Sequence, residues 1–118
     1  MKTFIKVMKA LSDPNRVKIV KILQNRPLCV CEIQQLLGIA QSTTSKHLKI
    51  LEDADLVKSF KDGLWVNYTL SDGSDSQFAA SMIGNLKHWL DSDSQIKELT
   101  KLLPDIDRYD IVDKASKN

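Results

Sequence analysis

The sequence predicts a mainly α chain with one small β-hairpin, in the order ααααββαα. Three observations carry this reading. Apolar residues recur at helical spacing through residues 2–53 and again through 76–103. Two β-rich runs flank Asp62-Gly63, a dipeptide suited to a tight hairpin turn. Pro14, Pro27, Gly38 and Pro104 punctuate the helical parts. The 118 residues suit one domain with a modest core, taken here as residues 1–104, followed by a polar tail over 105–118.

Each element has its own reasons. Residues 2–11 place Phe4, Val7, Met8 and Leu11 at helical spacing, with lysines between them. Ser12-Asp13-Pro14 starts a second helix, because a capping side chain precedes a proline in the first turn. It runs over about 14–25, buries Val17, Ile19, Val20, Ile22 and Leu23, and ends at Asn25-Arg26-Pro27. A short helix over about 30–37 buries Ile33, Leu36 and Leu37, and Gly38 takes the left-handed position after it. Residues 41–53 form the next helix, with Thr44, Leu48 and Leu51 as a narrow apolar face. The hairpin pairs 56–61 with 64–70, and Gly63 needs positive φ at its tip. A longer helix covers 76–91 and a last one 94–103, which stops at Pro104.

The helix over 76–91 carries two apolar stripes. Phe78, Met82 and Trp89 make one; Ala79, Ile83, Leu86 and Leu90 make the other. Such a helix packs against its own domain and against something else, most simply its copy in a homodimer. The expected dimer interface is Phe4, Met8, Ala79, Ile83, Leu86 and Leu90.

Charge is distributed unevenly. Residues 1–70 carry 11 Lys/Arg against 6 Asp/Glu, whereas 71–118 carry 6 against 9. The basic part is the part with the short helix, the glycine and the polar helix, an order that reads as a helix-turn-helix facing phosphates. Gln41, Ser42, Thr43, Ser45, Lys46, His47 and Lys49 suit base edges and phosphates in a major groove. A hairpin directly after a recognition helix is the wing of a winged helix-turn-helix, and Lys61 and Gly63 at its tip suit a phosphate or minor groove.

The chain's two cysteines stand in Leu28-Cys29-Val30-Cys31-Glu32-Ile33. Lysines interrupt every apolar run near the N-terminus and no run approaches a membrane span, so a cytoplasmic protein without a membrane partner is expected. There the cysteines stay reduced, either as soft metal ligands or as small buried hydrophobes. Residues two apart on a regular helix point about 200° from each other. Closure of both thiols on one atom is therefore expected to unwind the first turn of the short helix.

Ala10 to Arg16 (ALSDPNR), Leu28 to Ile33 (LCVCEI), Gln41 to Leu51 (QSTTSKHLKIL) and Gly63 to Tyr68 (GLWVNY) resemble the ArsR/SmtB family of metal-responsive repressors, over roughly residues 4–90. LCVCEI is similar in particular to the arsenic-responsive branch. The resemblance implies a homodimer on double-stranded operator DNA with an inverted repeat, released when arsenite or antimonite binds Cys29 and Cys31. Three departures stand out: Gln34 where the branch often has a third cysteine, Ala40 where a capping serine is usual, and Asp55 in place of a glycine.

A redox-responsive repressor, with the same two cysteines oxidised, is the alternative. An enzyme is not expected, since the chain has no nucleophile–base constellation, phosphate-cradling glycine loop or zinc quartet. His88 lacks a neighbouring histidine in sequence, so no zinc or nickel role is assigned to it.

Overall fold

A capping carboxylate, a proline and a left-handed glycine set the boundaries of the first half of the fold. The computed structural model of the chain describes residues 1–111. Helix α1 spans Lys2–Ala10 and α2 spans Pro14–Leu23. Between them Asp13 accepts hydrogen bonds from the backbone N–H groups of Asn15 (2.8 Å) and Arg16 (3.3 Å). Strand β1 (Leu28–Cys29) runs directly into α3 (Val30–Leu37), which Gly38 closes at φ 67°. Helix α4 (Gln41–Asp53), strands β2 (Val57–Asp62) and β3 (Trp65–Leu70), and helices α5 (Gln77–Leu86) and α6 (Ser94–Leu102) follow. Asp55 takes φ 61° after α4, the left-handed position usually given to glycine.

The sheet has one strand more than the sequence predicts. Its order is β1-β3-β2, antiparallel throughout, with Leu28 opposite Tyr68 and Cys29 opposite Asn67. Two residues are too few to show a period, so nothing local marks β1. It forms because β3 offers it an edge. Between β2 and β3 the register runs from Val57 opposite Leu70 to Asp62 opposite Trp65, and Gly63 turns the tip at φ 62°.

Ile19, Val20, Leu28, Ile33, Leu48, Leu51, Leu56 and Val57 are sealed from solvent and join α2, α3, α4 and the root of the wing in one core. Burial of each such side chain stabilises the fold by about 1.5–3 kcal/mol. The same core fixes the two helices of the helix-turn-helix relative to the hairpin.

The helix expected over 76–91 stops at Leu86. Lys21, only 3% exposed at its side chain, puts its Nζ 2.7 Å from the Leu86 carbonyl oxygen and 2.7 Å from an Asp91 carboxylate oxygen. Leu90 lies beyond at φ 68°, a conformation no helix can carry. Lys21→Ala should therefore lower unfolding stability by about 1–3 kcal/mol, because the ammonium's charge-assisted bonds are lost. Denaturant titration measures the loss, and amide exchange should accelerate at the end of α5.

The interface expected from the sequence needs correction for the same helix. Ala79, Ile83 and Leu86 are 0%, 7% and 4% exposed, packed into the chain's own core. The other stripe is the half-buried one: Phe78 and Met82 line the flank of the core, and the Phe4 ring meets Phe78 edge-on at 5.4 Å. Phe4 and Leu90 stay exposed, and Met8 is half-buried. A further correction concerns the chain after α6. Pro104 sits within a 3-10 turn over Leu103–Asp105 rather than ending the fold. Ile106 packs against the core, and Arg108 and Tyr109 lie along β3. Residues 112–118 of the expected tail lie outside the described residues.

Candidate dithiol site and nucleic-acid interface

Cys29 belongs to the sheet and Cys31 to a helix. Cys29 ends β1 and precedes α3 in extended conformation (φ −81°, ψ 166°), while Cys31 lies in the first turn of α3. The two sulfur atoms are 2.8 Å apart. The expected unwinding of α3 is thus unnecessary, because the argument from helical spacing places both residues inside the helix and Cys29 is outside it. Cys29 is buried and Cys31 partly exposed, so the pair opens on one side to solvent.

The surroundings hold the pair in place. Glu32, itself buried, accepts a hydrogen bond from the Cys29 backbone N–H at 2.9 Å, the reciprocal half of a capping box. Its second carboxylate oxygen lies 3.3 Å from Arg26. Burial, reinforced by the hydrogen bond with Cys31, pushes the Cys29 thiol up from 9.0 to about 12. At pH 8 it carries on the order of a thousandth of the thiolate of an ordinary cysteine. The sign follows from the raised value: Cys29's contribution to stability is complete below about pH 9 and is lost as pH rises towards 12. Iodoacetamide at pH 8 should accordingly label Cys31 well before Cys29, with the order read by peptide mass spectrometry.

No group of three or more His, Cys, Asp and Glu side chains suited to a metal ion occurs among the described residues. The position the third cysteine would occupy, Gln34, is a half-buried residue of α3. The protein thus presents two soft donors and an open side.

The polar helix is α4. Gln41, Ser42, Thr43, Ser45, Lys46 and Lys49 are all exposed, whereas Thr44 is buried with its hydroxyl donating to the Ala40 carbonyl at 2.9 Å. Ala40 supplies no side-chain cap, which leaves the leading N–H groups of α4 open to an anion. Lys49 lies 3.8 Å from Asp53 on the exposed face. His47 departs from the expected groove-facing set. Its side chain is 12% exposed, with Nδ1 3.2 Å from the Arg16 guanidinium and Nε2 4.0 Å from Asp13. Arg16 in turn donates to the carbonyls of Ala10 (2.7 Å) and Lys9 (3.2 Å). His47 therefore ties α4 to the start of α2. At the wing tip Lys61 and Gly63 are exposed, and Leu64 is wholly so.

Sequence reasoning missed Arg26, Asn67 and Arg108 around the dithiol. Glu32, three residues after Cys29, carried a capping signal that was available. The other three are brought in only by tertiary structure. His88 is exposed, on the turn after α5.

Residues 13–59 match the family described as "Bacterial regulatory protein, arsR family". A cadmium resistance transcriptional regulatory protein CadC homolog of Staphylococcus aureus is 41% identical over 68 residues, which is 57% of this chain and 56% of that protein. The arsenical resistance operon repressor of Bacillus subtilis is 40% identical over 65 residues, 54% of this chain and 62% of that one. The chain thus spans less than two thirds of either curated relative. Among solved structures, HlyU from Vibrio cholerae is similar with a TM-score of 0.64 and 32% identity over 78% of this chain and 95% of that chain.

Proposed function

Because the chain belongs to the arsR family of bacterial regulatory proteins, a family of DNA-binding transcriptional regulators and not enzymes, we propose that it is a homodimeric repressor released from its operator when arsenite or antimonite bridges Cys29 and Cys31. The observation that carries the effector assignment is the 2.8 Å approach of the two sulfurs across the β1–α3 junction. Neutral arsenous acid suits these thiols. Two sulfur–arsenic bonds form, two arsenic–oxygen bonds break, and each thiol proton leaves with a hydroxide as water. No free thiolate is required, so the raised Cys29 thiol is no obstacle. A divalent cation such as cadmium needs thiolates and further donors, and the described residues offer no such cluster. The third arsenic position is left to hydroxide or a small thiol.

DNA recognition is assigned to Gln41, Ser42, Thr43, Ser45, Lys46 and Lys49 on α4, with Lys61 and Gly63 on the wing. Their exposure and the open start of α4 support this. The dimer is assigned to the α1–α5 flank, where Phe4 and Ile5 on α1 and Trp89 and Leu90 just after α5 are 40–52% exposed and Phe4 meets Phe78. Pairing there would present two recognition helices to half-sites about 34 Å apart, on an inverted repeat. No helix among the described residues is long and apolar enough to cross a membrane; action on operator DNA places the proposed repressor in the cytoplasm.

The same sulfur approach favours a second reading, oxidation to a disulfide with loss of two protons and two electrons to a cellular oxidant. One titration separates them. Operator binding is followed by fluorescence anisotropy at fixed salt, on an inverted repeat from upstream of the gene, with arsenite and excess reductant. Loss of affinity of at least about tenfold supports the metalloid reading, since coupling energies of this kind run to 1–3 kcal/mol. Release only by oxidant supports the redox reading, and indifference to both defeats the dithiol switch.

A further inference from the structure

Resting on the dithiol reading above, we infer that the segment Ile106–Tyr109 is a latch that couples the cysteine pair to the wing, with Arg108 as its positioning residue. Two routes join the same places. On the first, the Cys29 N–H is held by Glu32 (2.9 Å), Glu32 by Arg26 (3.3 Å), and Arg26 donates to the Ile106 carbonyl at 2.9 Å. On the second, Cys29 sits opposite Asn67 in the sheet, and the Asn67 side-chain oxygen accepts from Arg108 at 3.2 Å. Arg108 closes both routes onto the wing. Its other terminal nitrogen lies 3.1 Å from Asp62, beside the hairpin turn, and its guanidinium stands over the Trp65 ring at 4.9 Å and the Tyr109 ring at 5.5 Å.

The chemistry suits a latch better than a solvated surface contact. A planar guanidinium can fork between a carboxylate and an amide oxygen while stacking on aromatic faces, and a lysine cannot. The Arg108 side chain is 19% exposed, so the ion pair with Asp62 is partly shielded. Asn67 is 7% exposed and has few alternative partners if Arg108 leaves. A metalloid bound to both sulfurs spreads them from their 2.8 Å approach, and in the latch this movement is taken up at the Cys29 backbone, which both ends β1 and precedes α3. Such a shift strains the Glu32–Arg26–Ile106 contacts and the Cys29–Asn67 pairing together. The latch then lets go of Asp62 and Trp65, and the wing loses its fixed angle to α4.

The test uses the full chain with Trp89 left in place, and reads Trp65 emission as the difference from a Trp65→Phe control. Arsenite with excess reductant should change Trp65 emission as the operator affinity falls. In Arg108→Ala, Trp65 emission should be altered before arsenite is added and respond no further. The ratio of operator affinities without and with arsenite should shrink by about tenfold, while intact-mass analysis still finds arsenic on the thiols. Arg108→Lys should not restore the ratio. A merely structural arginine would lower the melting temperature and leave both the ratio and the Trp65 response intact, and that result overturns the latch. Absence of arsenic from the wild-type thiols overturns the latch together with the dithiol reading, and the mass spectrum distinguishes this from failure of the latch alone.

Discussion

Serine in place of either Cys29 or Cys31 should leave operator affinity within about twofold and reduce arsenite-driven release from roughly a hundredfold to no more than about twofold. The reasoning is local. The Cys29 backbone pairs with Asn67 and donates to Glu32, serine keeps both, and its hydroxyl can take over the side-chain half of the capping box. Serine is also a good residue before a helix. The Cys31 side chain is partly exposed, so its replacement leaves no cavity. What disappears is one of two soft donors, and a single sulfur cannot bridge. Anisotropy titrations of both variants measure the effect. Full release in either one would show that the two sulfurs do not act as a pair.

Leu48→Ala should cost about 2–5 kcal/mol of stability. Leu48 has no exposed surface and lies one turn after Thr44 and one before Leu51, on the inner face of α4. The cavity would open where α4 meets α2 and α3, beneath the helix that presents Gln41, Ser45 and Lys46. Chemical denaturation measures the stability, and operator binding should weaken even where the variant remains folded. An outer-face substitution, Ser45→Ala, should do the reverse: affinity falls while stability changes by less than about 0.5 kcal/mol.

These residues also show what the sequence makes legible. Helices α3 and α4 have the predicted bounds because Gly38, a polar leading turn and a narrow apolar stripe are local signals. Asp55 takes the left-handed conformation its neighbours require. The overrun of α5 has a non-local cause, since Lys21 lies 65 residues before the carbonyl that it occupies. The two stripes of α5 are equally apolar, and only packing reveals that Ala79, Ile83 and Leu86 face inward. Around the dithiol, the two cysteines are evident from their spacing. Their actual geometry is not, because it depends on a two-residue strand that exists only against β3. Arg108, in a stretch that reads as polar tail, has no signature until β3 and Arg26 are beside it.

The nearness of Cys29 and Cys31 along the chain has a thermodynamic consequence. Ligands raise a protein's melting temperature only to the extent that they prefer the native state, and at a hundredfold excess over Kd an exclusively native binder adds about 2.7 kcal/mol. One intervening residue keeps the two thiols within reach of each other in the unfolded chain as well, with no loop of any length to close. Arsenite should therefore be held by both states. Tight binding would then coexist with a small thermal shift, and a screen that ranks effectors by melting temperature would pass over the metalloid that this site holds most firmly.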